Sequence, residues 1–157
     1  MVRKEWVTML LFVCLIACGV CSAAVEPTKM VLTPQVNSSG PYDDEKFQSV
    51  VVPVINGLAD STLNASERID VQSAYYTACS MKVSPEFYPV AYNVTKLLFY
   101  LVSSSESYEE LDKTSGLGAY NKDMRTSLKA QADADSDAAE EAWGGIAVLY
   151  PNSTLFR

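Results

Sequence analysis

Carboxylates are the side chains best able to do chemistry in this chain, because the sequence contains no histidine. Asp133, Asp135 and Asp137 alternate as ligands do at the start of a calcium-binding loop. That loop also needs Gly at its sixth position and Glu at its twelfth, where this sequence has Ala138 and Gly144. The spacing therefore favours a solvated acidic helix face, and we expect no metal and no cofactor.

Adjacent carboxylates offer a second possible chemistry, general acid–base catalysis. The pairs are Glu109/Glu110 and Glu140/Glu141. Neighbours in sequence do not face each other on a helix, and both pairs lie in polar stretches where no burial would raise a pKa. Without histidine, Ser-His-Asp and Cys-His catalysis and His-containing zinc sites are excluded within this chain. We therefore expect a protein that is not an enzyme.

The overall charge bears on the class of partner. The chain has 157 residues, with 12 Lys and Arg against 19 Asp and Glu, giving a net charge of −7. A nucleic-acid surface calls for a basic face. The composition thus argues against nucleic acid, and the length suits a single domain.

The N-terminus has the pattern of a secretory signal peptide over residues 1–23. Arg3 and Lys4 precede an uncharged apolar run from Trp6 to Ala24, and small residues near Ala23 suit a signal peptidase. Two alternatives stay open. The run of about 19 residues could be retained as a membrane anchor, and the lipobox-like order before Cys18 is typical of a bacterial lipoprotein.

Removal of this segment changes the cysteine count. Three of the four cysteines, Cys14, Cys18 and Cys21, lie within it, so that only Cys79 would remain. No disulfide within the chain is then possible. Cys79 is expected to be buried, while a free thiol or an intermolecular bond remains an alternative.

Four of the six asparagines begin Asn-x-Ser/Thr triplets, where chance predicts about one. They are Asn37, Asn64, Asn93 and Asn152. The excess agrees with eukaryotic secretion. Each is a predicted N-glycosylation site and is therefore expected at the surface.

The mature chain divides in two by composition. Residues 24–41 are rich in Pro, Ser and Thr and are predicted to be an extended lead, and residues 42–157 are predicted to be a single helical domain.

Apolar residues at helical spacing predict a first helix from about Asp43 to Leu58, which Pro53 should kink. A second helix, capped by Asn64 or Ser66, is predicted to end near Met81. Its buried face is expected to carry Ile69, Tyr76, Cys79 and Val83.

The strongest stripe, meaning the longest set of apolar residues at helical spacing, predicts a central helix. This helix is predicted to start at Ser84-Pro85 and to end at Ser103-Ser104-Ser105. Its stripe comprises Phe87, Val90, Ala91, Val94, Leu97, Leu98, Leu101 and Val102. A capping box at Ser107 then opens a short helix, which Gly116 and Gly118 should stop.

The last helix is predicted from near Asn121 to Ala142, where Gly144-Gly145 breaks it. Residues 146–150 then read as a short strand or buried tail. The fold class predicted is mainly α, a compact bundle of about four helices with a short C-terminal strand or extended tail; an α+β sandwich is the alternative.

The segment Ile146–Asn152 resembles the hydrophobic "VALYNP" strand of the sporozoite surface antigens of coccidian parasites, of the TA4 type. The likeness covers under a tenth of the chain. It implies an α+β sandwich and a host-facing surface role.

These patterns predict a secreted or cell-surface glycoprotein with a non-catalytic binding or antigen role, whose protein or cell-surface partner the sequence does not identify. Contact with a membrane is expected only if the N-terminal segment is retained. The alternative is a small extracellular carrier whose helices enclose an apolar ligand, using Val90–Leu101 and the flanking Tyr88, Tyr92 and Tyr100.

Overall fold

A computed structural model describes residues 31–58, 63–115 and 122–149. The predicted signal peptide and Asn152 lie outside these residues. The residues in these three ranges all belong to one compact unit. In the described ranges its elements are β1 (Gln35–Val36), α1 (Asp44–Gly57), α2 (Ala65–Cys79), β2 (Lys82–Val83), α3 (Tyr88–Lys113) and α4 (Lys122–Leu149).

Helix α1 confirms the first predicted helix to within a residue at each end. Asp44 and Glu45 occupy its first turn, where carboxylates interact favourably with the helix dipole. Phe47, Val51 and Ile55 recur at helical spacing and form its buried face. Pro53 lies within the helix on its exposed side.

Helix α2 begins as predicted but buries a different face. Asn64 closes a capping box with Glu67: its side-chain oxygen accepts from the N–H of Glu67 at 3.0 Å, and the Glu67 carboxylate accepts from the N–H of Asn64 at 2.9 Å. Ile69 and Tyr76, predicted to be core, are 66% and 58% exposed. The buried face is Val71, Ala74, Tyr75 and Ala78. Two of these are alanines, whose small side chains allow close helix packing but give a weak apolar signal.

The part of the predicted lead that the structure describes contributes strand β1. Strands β1 and β2 are parallel, with Gln35 opposite Lys82 and Val36 opposite Val83. Their ladder includes the N–H of Asn37 donating to the carbonyl of Val83 at 3.0 Å. The described part of the predicted lead, from Val31, thus groups with the helices that follow it, and the boundary at residue 42 stays a prediction.

Helix α3 is the central element, and its whole predicted stripe is buried. The predicted end at Ser103–Ser105 and the new helix at Ser107 are both wrong, since α3 continues to Lys113. These serines are buried: the Ser104 hydroxyl donates to the carbonyl of Ala132, and the Ser105 oxygen accepts from the N–H of Leu63. Small hydroxyl side chains here let neighbouring backbone approach closely.

Helix α4 passes through Gly144 and Gly145 without a break, so the predicted C-terminal strand is wrong as far as Leu149. A Cβ on Gly145 would lie 3.0 Å from the side-chain carbon of Asn93 on α3. This glycine therefore serves close packing of two helices. Ile146, just beyond it, is only 2% exposed.

The fold class is confirmed as mainly α: four helices in the described ranges form a bundle, with one short two-stranded parallel sheet. The α+β sandwich is not the architecture of these residues. None of the described helices is both long enough and apolar enough to cross a bilayer.

Candidate functional site

An apolar cleft of about 570 Å³ opens between the end of α1, helix α3 and helix α4. We call it the α1–α4 cleft. Its lining residues are Ile55, Leu58, Leu97, Leu101, Ser104, Ser136, Ala139, Glu140, Trp143 and Gly144. Its size falls in the range of small-molecule sites, about 300–1,000 Å³.

Helix α3 supplies the floor of this cleft through Leu97 and Leu101, one turn apart on the predicted stripe. Helix α4 supplies a wall: Ser136, Glu140 and Gly144 recur every four residues and therefore lie on one face. Trp143 is 38% exposed at this wall. The sequence did not predict this wall. A helix that ends at Ala142, as predicted, would not include Trp143 and Gly144.

The charge on the lining of the cleft and on the α4 segment that forms its wall is negative. Glu140 is the charged residue among its lining side chains, and it is exposed. Between Ala130 and Leu149, helix α4 carries five carboxylates and no Lys or Arg. The segment from Phe47 to Leu58, which contributes Ile55 and Leu58 to the lining of the cleft, contains no charged residue.

A buried polar contact fixes α4 against α3 beside the cleft. The Ser103 hydroxyl donates to the Asp135 carboxylate at 2.5 Å, and the Gln131 amide donates to its other oxygen at 2.8 Å. Asp135 is only 4% exposed, so the predicted solvated acidic face is wrong at this residue.

Asp133 does lie toward solvent, where it accepts from the Lys129 ammonium at 2.7 Å and the Tyr108 hydroxyl at 3.0 Å. The hydrogen bond from Lys129, followed by that from Tyr108, lowers the pKa of the Asp133 carboxyl. No group of three or more Asp, Glu, Cys or His that could hold a metal occurs within the described ranges.

The pair Glu109/Glu110 is occupied by ion pairs. Glu109 contacts Lys113 at 2.8 Å and also binds Arg68, which joins α3 to α2. The Lys113 hydrogen bond, then that of Arg68, lowers the pKa of the Glu109 carboxyl. A carboxylate held ionised in this way is a poor proton donor at neutral pH.

The tyrosines that the carrier alternative invoked contact other aromatic rings. Tyr88 and Tyr92 contact each other, with ring centroids 6.1 Å apart, and Tyr100 contacts Phe99 at 5.2 Å. None of these tyrosines is among the residues that line the α1–α4 cleft. Of the predicted carrier residues, Leu97 and Leu101 do line it.

A second cleft, of about 410 Å³, lies between α1 and α2. It combines apolar α1 residues such as Val50 and Val54 with Glu67 and Asp70 of α2. It is smaller and contains more polar side chains, so the α1–α4 cleft is the stronger candidate for an apolar ligand.

Cys79 is half-buried and joins the lead segment to α2. Its thiol donates to the carbonyl of Leu32 at 3.3 Å, and the Leu32 N–H donates to the Tyr75 hydroxyl at 2.8 Å. Burial raises the pKa of the Cys79 thiol and raises that of Tyr75 to about 12. Both groups thus stay protonated at neutral pH, which makes Cys79 a weak nucleophile.

Two predicted glycosylation sites have accessible geometry. Asn64 is exposed, and its side-chain oxygen caps α2, which leaves its amide nitrogen without a hydrogen bond among the described residues. Asn37 is half-exposed after β1, and its side-chain oxygen accepts from the Ser39 N–H at 3.5 Å.

Asn93 has a different environment. Its amide nitrogen donates to the carbonyl of Pro89 at 3.0 Å, and its side chain packs against Gly145. The third residue of its triplet, Thr95, is fully buried and donates to the carbonyl of Ala91. A glycan on Asn93 would therefore have to displace part of the α3–α4 contact.

Comparisons with protein-family models, with curated proteins and with solved structures gave no match.

Proposed function

We propose that this chain acts outside the cell, secreted or at the cell surface, as an N-glycosylated protein with a non-catalytic binding role. One form of this role, implied by the sequence resemblance at Ile146–Asn152 alone, is that of a host-facing surface antigen; residues 146–149 are helical here, whereas the resemblance is to a strand. The N-terminal pattern and the excess of triplets support secretion. The structural observation that carries the proposal is the exposed triplet at Asn64.

Asn64 combines two roles without conflict. The side-chain oxygen caps helix α2, whereas a glycan would join the side-chain nitrogen, which points away from the capped N–H groups. The site therefore accepts a glycan in the folded state. Asn37 meets the same requirement, and Asn152 stays a prediction from sequence.

The test uses the chain produced by secreting eukaryotic cells. An amidase that removes N-linked glycans should lower its mass, because Asn64 and Asn37 carry glycan. Ser66→Ala destroys the Asn64 triplet but leaves the cap residue intact, so it should remove one glycan. Ser66→Thr is the matched control and should keep it. A mass that the amidase leaves unchanged would contradict the proposal.

A carrier function is the second candidate, and the α1–α4 cleft is the observation that favours it. The α1–α4 cleft has apolar walls, and its volume is large enough for a small ligand. A carrier can itself be an extracellular glycoprotein, so the two functions are compatible.

A further inference from the structure

We infer that the α1–α4 cleft binds an amphiphile that has one apolar chain and a cationic ammonium head. This inference rests on the proposed non-catalytic binding function and gives it a ligand class. It follows from the shape of the cleft, from the chemistry of its walls and from the sign of its charge.

The apolar walls select the chain of the ligand. Leu97 and Leu101 of α3 form the floor, and Ile55 and Leu58 at the end of α1 supply further apolar lining. Burial of an alkyl chain against such surfaces removes apolar area from water, which is favourable. The volume of about 570 Å³ is large enough to hold such a chain.

The polar residues that line the cleft on α4 favour a particular charge on the head group of the ligand. Ser136 and Glu140 lie one turn apart on the same face of α4, so a hydroxyl and a carboxylate can both accept from one ammonium group. An anionic head would instead meet Glu140, with no basic residue on α4 between Ala130 and Leu149 to pair with it. Charge complementarity thus favours a cation over an anion.

Ligand binding to the cleft can be measured by the fluorescence of a tryptophan that the protein already contains. Its two tryptophans are Trp6, in the predicted signal peptide, and Trp143, at the cleft wall. Full-length Trp6→Phe protein therefore reports from Trp143 alone, whether or not the segment is removed. Decylammonium and decanoate are titrated as monomers at low salt, since they share a chain and differ in the sign of the head.

We expect a saturable change of Trp143 emission with decylammonium, and binding at least about threefold weaker with decanoate. An exposed ion pair contributes up to about a fivefold change in affinity, so Glu140→Gln should remove most of this difference. No saturable change with decylammonium, or equal affinity for the two amphiphiles, would overturn the inference.

Two glycine variants separate cleft binding from binding elsewhere. A Cβ on Gly144 meets no atom within 4 Å, so Gly144→Leu fits the helix and places a side chain at the cleft; we expect at least tenfold weaker binding. Gly57→Leu is the matched control, because Gly57 is equally open but lines the other cleft. Undiminished binding by Gly144→Leu would reject the site, and this outcome is independent of the glycan assay.

Discussion

Tyr75 holds the segment before α1 against helix α2 through a single hydroxyl. The ring is 5% exposed, and its oxygen accepts from the N–H of Leu32. Sequence periodicity could not reveal this role, because the apparent stripe passed through Tyr76, the exposed neighbour. Tyr75 and Tyr76 are adjacent, and they differ in burial because the side of α2 that carries Tyr75 packs against the bundle.

We predict that Tyr75 makes the folded protein sensitive to alkali. Burial raises its pKa from the usual 10 to about 12, so the folded state favours the protonated phenol. The resulting stability is complete below pH 10 and is lost as pH rises toward 12, by about 3 kcal/mol. Urea unfolding at pH 8 and pH 11 should show about half of this loss, about 1.4 kcal/mol, because pH 11 lies midway between the two pKa values.

Tyr75→Phe should be less stable by about 1 kcal/mol at pH 8, because it loses one hydrogen bond, and should show a smaller alkaline loss. Tyr76→Phe, altered at the exposed neighbour, is the control and should keep the full loss. Equal alkaline losses for Tyr75→Phe and the parent chain would show that burial of this phenol has no such effect.

At the scale of elements, the sequence predicted α1, the cap of α2 and the stripe of α3 because each is a local signal. It misplaced the ends of α3 and α4 because serines and glycines normally end helices. Here Ser104 and Gly145 lie in a helix–helix contact, where small size is the requirement. Such a contact depends on residues more than 25 positions away, which local patterns do not contain.

The two adjacent glycines of α4 give opposite predictions. Gly144→Ala should raise the free energy of unfolding by about 0.5–1 kcal/mol, because alanine favours helix and the added carbon meets open space. Gly145→Ala should lower it by about 1 kcal/mol, because its Cβ would lie 3.0 Å from the Asn93 amide.

Chemical denaturation of both variants at neutral pH provides the measurement, with each serving as the control for the other. If the free energy of unfolding changed by the same amount and in the same direction in both variants, helix propensity alone would explain the effect. The account of close packing between α3 and α4 at Asn93 would then be wrong.

At the scale of the whole molecule, the composition and the stripes were sufficient to predict a mainly helical bundle. The α1–α4 cleft was not predictable, since it arises where three separate elements leave a gap. Its position depends on α4 continuing past Gly144, and the sequence alone argued against that. The exposure of Asn64 and the packing of Asn93 likewise depend on tertiary contacts that identical triplets do not encode.

Extracellular function requires that the N-terminal segment direct export. The most direct measurement is N-terminal sequencing of the chain recovered from the medium of eukaryotic cells that express all 157 residues. We predict a start near Ala24 or Val25, as expected for a signal peptide over residues 1–23. A chain that still begins at Met1 or remains inside the cells, or one that begins at Cys18, would contradict cleavage by the secretory pathway.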